Sequence, residues 1–226
     1  MEINIEDVSL RPLQKVKLLG LNVDIGLNFD FHVSQICQKA SWHINAVSRI
    51  AKYLNPRGLK SLFNSFILSN FTYCCQIWHF CSKENRLKIE KIQKRALRVI
   101  LNDYESPYSK LLENANASSM HVRRLRVIAK DTFNIINGSA PRFLCDLVKI
   151  KEMRVLRDPS RAIQPKTRTI KFGLNSFRYE AAYIWNNLPA EYKACEDFAQ
   201  FQRNIEIWSG PPCNCRYCIL CVISRL

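Results

Sequence analysis

Residues 82–101 read SKENRLKIEKIQKRALRVIL, and this stretch decides the fold. Ile89, Ile92, Ala96 and Val99 recur at three- and four-residue spacing, which places them on one face of a helix. Ser82 stands where an N-cap belongs, so a helix is expected from Lys83 to Leu101. The opposite face is basic: Lys91, Lys94, Arg95 and Arg98 lie across the wheel from the apolar stripe. Lys83, Arg86 and Lys88 add to them, against only Glu84 and Glu90. Like charges so close on one helix repel unless an anion lies nearby. A phosphate backbone is such an anion, and neutralising it releases counterions. A solvated outer face accounts for the same pattern, and both readings stay open.

On the C-terminal side the arrangement recurs. Residues 120–137 are expected to form a helix with Leu125, Ile128, Ala129, Thr132 and Ile136 facing inward and Arg123, Arg126 and Lys130 on the other side. Gly138 ends it and Pro141 opens a short successor. On the N-terminal side a long helix starts near Asp30, its stripe running Val33, Ile36, Ala40, Ile44, Val47, Ile50, Ala51 and Leu54. Trp42 falls off that stripe, and Arg49 lies two turns further on the same side. An exposed Trp beside Arg can stack on a base or sugar, although such a Trp is more often covered by another domain. Asn55 and Pro56 end this helix and start the next, with stripe residues Leu59, Leu62, Phe63, Phe66 and Ile67.

Ahead of the helices, Leu19, Leu21, Val23 and Ile25 alternate with Gly20, Asn22 and Asp24, which is strand periodicity followed by a turn at residues 26–28. Beyond the helices, residues 149–175 are basic and Pro-containing; they read as an irregular arm or linker with one strand expected at residues 167–172. Helices follow around residues 177–187 and 196–208. The expected class is mainly α: a small β element in residues 1–30, a helical bundle in 31–148, the arm in 149–175, C-terminal helices in 176–210 and a Cys-rich tail in 211–226.

The charge balance agrees with the basic helices. Lys and Arg number 34 against 19 Asp and Glu, a net charge of +15 over 226 residues. That excess points to a polyanionic partner, with RNA and DNA ahead of an anionic membrane. Residues 1–9 are acidic and short of apolar side chains, the reverse of a secretory signal. No apolar run approaches the roughly 20 residues of a membrane span, so a cytoplasmic or nuclear protein is expected. In a reducing compartment the 10 cysteines would stay unbridged. Cys37, Cys74, Cys75, Cys81, Cys145 and Cys195 then read as small buried hydrophobes.

Cys213, Cys215, Cys218 and Cys221 crowd the C-terminus. The spacings from Cys215 to Cys218 and from Cys218 to Cys221 suit two thiolates gripping one Zn²⁺. Four sulfurs so close cannot easily reach tetrahedral geometry unaided, so two of them with ligands from elsewhere is the simplest arrangement; a redox-active or unliganded cluster is the other reading. His32, His43, His79 and His121 lie apart in the sequence, in helical segments, and read as surface or core residues. No Asp-Asp pair, P-loop, G-x-S-x-G or H-E-x-x-H occurs anywhere in the chain.

The order of these motifs resembles a known family. Residues 17–24, KLLGLNVD, followed by Leu27-Asn28-Phe29 and His32-Val33, are similar to the palm-to-thumb passage of non-LTR retrotransposon reverse transcriptases, the RNA-directed DNA polymerases of jockey-like elements. Phe71-Thr72-Tyr73-Cys74, Ile77-Trp78, the run from Ile89 to Arg98, residues 137–144, residues 182–189 and the terminal cysteines follow in the family's order. The resemblance implies a thumb-like bundle, a zinc knuckle at the C-terminus and a fragment that would hold template RNA and primer. It also implies that this chain is no polymerase alone, because the family's catalytic aromatic-x-Asp-Asp turn has no match here and two-metal chemistry needs it. A separate palm-bearing chain would have to supply it. An inert relic, or a domesticated protein-interaction module with no nucleic-acid role, are the alternatives.

Overall fold

The computed structural model describes residues 3–5, 8–10, 13–151 and 160–211. They form a mainly helical body with short antiparallel hairpins near the N-terminus. Strand β1 (Ile3–Ile5) pairs with β2 (Val8–Leu10), and β3 (Lys15–Leu18) with β4 (Leu21–Asp24). The single strand expected around residues 19–25 is therefore a hairpin. Leu19 and Gly20 make its two-residue turn at φ of 46° and 87°, the left-handed pair whose twist matches the strands on either side. The alternating apolar pattern straddles this turn, so Leu19 and Ile25 are exposed while Leu21 is buried. The Tyr73 hydroxyl donates to the Leu19 carbonyl at 2.6 Å and ties the turn to the helical body.

Asp24 organises the passage into the first helix. Its carboxylate accepts from the backbone N–H groups of Gly26 and Asn28 at 3.0 Å and of Phe29 at 2.7 Å. Partial burial pushes this carboxyl up, but the N–H donors outweigh it and hold the group below its ordinary range. Helix α1 (Asp30–Ile50) follows, then α2 (Pro56–Leu62), where the Asn55 side chain accepts from the Gly58 N–H as the expected cap. From Phe63 to Leu68 the backbone widens into a π-helical turn. The extra residue in that turn rotates the stripe. Phe63 and Ile67 stay buried, whereas Phe66, expected inside, is exposed beside the His43 ring at 5.5 Å. Short helices α3 (Ser69–Thr72) and α4 (Cys75–Trp78) lead to α5 (Lys83–Leu101), capped by Ser82 as expected.

The second half comprises α6 (Tyr108–Asn114), α7 (Met120–Ile136), α8 (Arg142–Cys145), α9 (Phe177–Asn186), α10 (Ala190–Lys193) and α11 (Phe198–Ile207). The strand expected at residues 167–172 does not form. Its backbone closes on itself in a π-helical turn, Ile170–Leu174, with the Asn175 N–H donating to the Ile170 carbonyl at 3.1 Å. The preceding segment is fastened to the body. Ala162 is buried and exchanges hydrogen bonds with the Asn186 side chain at 2.8 and 3.0 Å, and the Trp185 indole donates to the Ser160 carbonyl at 2.7 Å.

Two main apolar clusters fill the interior. The first joins α1 with α3–α5 through Val33, Ala40, Ile44, Phe71, Trp78 and Ile89. The second joins α7, α9 and α11 through Leu125, Ile128, Phe133, Trp185, Phe201 and Ile205. Helix α7 contributes to both, Met120 to the first and Leu125 onward to the second. It packs against α3, α4, α5, α8, α9 and α11 and so carries the fold's central axis.

Candidate nucleic-acid interface

Helices α1 and α5 pack along each other with their apolar stripes turned inward. This leaves an outer surface shared by both. On α5, Lys88, Lys91 and Arg95 are exposed. Lys94 and Arg98 are half-buried, and the Arg98 Nε is enclosed without an acceptor. On α1, Trp42 is 63% exposed and Arg49 is exposed two turns further on. Arg95 donates from its guanidinium to the Asn45 side chain, so the basic ridge of α5 is stitched to the helix that carries Trp42. Past the end of α1, the Lys52 ammonium sits 4.8 Å from the ring centroid of exposed Tyr53. Lys88, counted among the positive charges of α5 but not in the row of four opposite the stripe, belongs to the exposed set. Tyr53 extends the surface beyond the residues expected from sequence. Lys88 continues the basic face by helical spacing alone, whereas the position of Tyr53 depends on the short 3₁₀ turn that closes α1.

The basic side of α7 has a different fate. Arg126 is 8% exposed, donates from Nε to the Trp208 carbonyl at 2.8 Å and lies 3.8 Å from the Glu206 carboxylate. Lys130 pairs with the same Glu206 at 2.6 Å. Half-buried Arg123 donates to the Ser118 carbonyl at 3.2 Å. The expectation of an outward-facing basic row on this helix is corrected: α11 covers it, because α7 is packed on more than one side.

Between them, Arg124 is fully buried. Its three guanidinium nitrogens have no hydrogen-bond partner, and its charge sits over the Trp78 ring at 5.4 Å. Cation–π attraction offsets part of the desolvation cost. Glu90, on the inward side of α5, is also buried and accepts from the Tyr108 hydroxyl at 2.7 Å and the N–H groups of Met120 and His121 at 3.1 and 2.7 Å. It thereby caps α7 from another helix and places negative charge at the positive end of that helix. Burial raises its pKa against the pull of Arg124 and of these donors.

The histidines, apart in sequence, are not all apart in space. His79 and His121 stack at 5.2 Å and are both buried. Burial, together with Arg124 and Arg86 nearby, holds both far below the ordinary histidine range. His32 packs on Trp78 at 5.9 Å. Neutral imidazoles in such a setting are packing groups. Two of the thiols are equally quiet: burial pushes Cys37 up to about 11 and Cys75 up to about 12, which keeps both protonated at neutral pH. Among the described residues, no group of three or more His, Cys, Asp or Glu side chains could hold a metal ion, and no helix is long and apolar enough to cross a membrane. Cys213, Cys215, Cys218 and Cys221 lie outside the described residues. No family model, curated protein or solved structure matches the chain.

Proposed function

We propose that the chain binds single-stranded nucleic acid through its α1–α5 face, with phosphate contacts from Lys88, Lys91 and Arg95 and base stacking on Trp42. This is the role expected of a thumb and C-terminal fragment of a non-LTR retrotransposon reverse transcriptase. The observation that carries it is the exposed Trp42 standing beside a basic ridge that Arg95 joins to its helix. Phosphate contacts position a strand without reading its sequence. An aromatic ring stacks on any base, so the binding is sequence-tolerant. No polymerase step is assigned to the chain, since no Asp-Asp pair occurs in it.

The test is fluorescence anisotropy on labelled single-stranded RNA across a salt series. Changing Lys88, Lys91 and Arg95 together to Gln should lower the log–log salt slope by about two, each phosphate contact on a single strand contributing about 0.7. Trp42→Ala should weaken binding roughly fivefold to a hundredfold and leave the slope nearly unchanged, because stacking releases no counterions. An unchanged slope in the triple variant would identify the ridge as a solvated face.

A further inference from the structure

Away from the basic ridge, the body carries a second surface of opposite character. A cleft of about 640 Å³ opens between α4, α7 and α8, walled by Ile77, Phe80, Ile135, Leu144, Leu147 and Phe177. An adjoining cleft of about 520 Å³ shares Ile77 and Phe80 and runs on to Leu27, Phe29 and Phe172. Ile77, Phe172 and Leu27 remain about half exposed along this line.

The charges in the walls are one-sided. Among the described lining residues, the first cleft has a single formally charged side chain, Asp131, and the second a single one, Asp30. Neither cleft is lined by Lys or Arg, although the chain holds 34 of them. Asp131 is half-buried and accepts one hydrogen bond, from the Gln76 amide at 2.6 Å. Burial raises its pKa against that donor, so its charge is incompletely compensated. Asp30 is exposed and accepts from the Asn85 amide.

We propose that the two clefts form one groove for an apolar peptide segment of a partner protein that carries two basic residues, one for Asp131 and one for Asp30. Two clefts of this size sharing one wall exceed together what a drug-sized ligand fills and suit a helix or extended segment laid in a groove. Its apolar side chains cover the half-exposed walls, and its cations meet carboxylates that the groove itself leaves without a cation. The net charge of the whole chain acts against this preference. A basic peptide is repelled at long range, but beyond about 8 Å at physiological salt that repulsion is screened, and the groove's own carboxylates decide.

The experiment uses the full chain and three fluorescein-labelled, leucine-rich peptides of one design, bearing two lysines, two glutamines or two glutamates. Anisotropy at physiological salt should rank the lysine peptide above the glutamine peptide by about tenfold, with the glutamate peptide weakest. Asp131→Asn combined with Asp30→Asn should remove the lysine advantage and leave the glutamine peptide unchanged. Asp131→Asn alone, at a site that keeps its Gln76 bond, should remove about half of that advantage on the logarithmic scale. Ile77→Arg, on a half-exposed wall shared by both clefts, should abolish binding of the lysine peptide while the circular dichroism stays that of the wild type. Equal affinity for the lysine and glutamine peptides would overturn the proposal. So would tightest binding of the glutamate peptide, or a lysine advantage that survives the double Asn change.

Discussion

Helices α5 and α7 share one sequence pattern and have different surroundings. Each carries an apolar stripe with Arg and Lys opposite it. On α5, Lys88, Lys91 and Arg95 reach solvent. On α7, Arg124 and Arg126 are buried, and Lys130 is paired with Glu206. The difference lies outside either helix. Helix α7 runs through the middle of the fold and α11 closes over its polar side, whereas the outer side of α5 meets no covering helix among the described residues. A basic face read from one helix is thus a statement about that helix, and its accessibility is a property of the neighbours.

The largest test of this contrast is Glu90, the point where the two helices are locked together. Glu90→Ala strips the Met120 and His121 N–H groups at the start of α7 of their acceptor and leaves the buried Tyr108 hydroxyl only the Gln93 side-chain oxygen, at 2.7 Å. It also removes a negative charge that attracts buried Arg124. The expected cost is about 3–5 kcal/mol in urea unfolding, the scale for breaking a buried charged network. A loss under about 1 kcal/mol would mean that α7 is held by its apolar faces alone.

Next comes Arg126. Replacement by Ala removes a buried donor from the Trp208 carbonyl and a charge from Glu206, at an expected cost of about 2 kcal/mol. A loss no greater than that of an exposed arginine would return Arg126 to the surface and erase the contrast with α5.

The stacked His79 and His121 give the comparison a pH dependence. Their folded pKa values are depressed, so below the ordinary value of about 6.5 the unfolded chain takes up protons that the folded chain refuses. Stability is therefore full above that pH and falls as pH drops below it. The slope approaches about 1.4 kcal/mol per pH unit for each histidine. Urea midpoints from pH 7.5 down to 5 should show this loss, and His79→Gln should reduce the slope by about one proton's worth. Buried carboxyls with raised pKa, Glu90 among them, contribute a slope of opposite sign, so the difference between the two proteins is the test: a His79→Gln slope equal to that of the wild type would place the pair in water.

Smallest of all should be the effect of Lys91→Gln with Arg95→Gln on stability, within about 0.5 kcal/mol. These side chains make no core. A larger change would show that the Arg95 bond to Asn45 holds α1 to α5.

Much of the helical frame is legible in the sequence alone. Ser82 and Asn55 cap the helices that follow them, as expected, because an N-cap is a local bond between neighbours in sequence. The stripe of α1 through Val33, Ala40, Ile44 and Val47 is buried as its period requires. Expectation and structure part wherever a local rule meets a non-local one. The strand expected at residues 167–172 has no partner strand among the described residues, and a strand without a ladder does not persist. Phe66 leaves the core where a π-helical turn shifts the register by one residue. Residues 149–175 read as an arm because their composition is basic, yet Ala162 is pinned by Asn186, which lies far along the chain.

By itself, then, the sequence determined the positions of the longer helices, the caps at Asn55 and Ser82, the excess of positive charge and the candidate ridge of Lys91 and Arg95, all consequences of composition or of interactions within a few residues; α6 was not among the helices it placed. Only the tertiary structure decided which basic side chains face water. It also decided that Glu90 caps a helix thirty positions on, that His79 meets His121, and that Asp131 and Asp30 line apolar clefts. The physical reason is common to all of these. Periodicity fixes direction around one helix axis, while burial, desolvation and charge compensation depend on what packs against that axis from elsewhere in the chain.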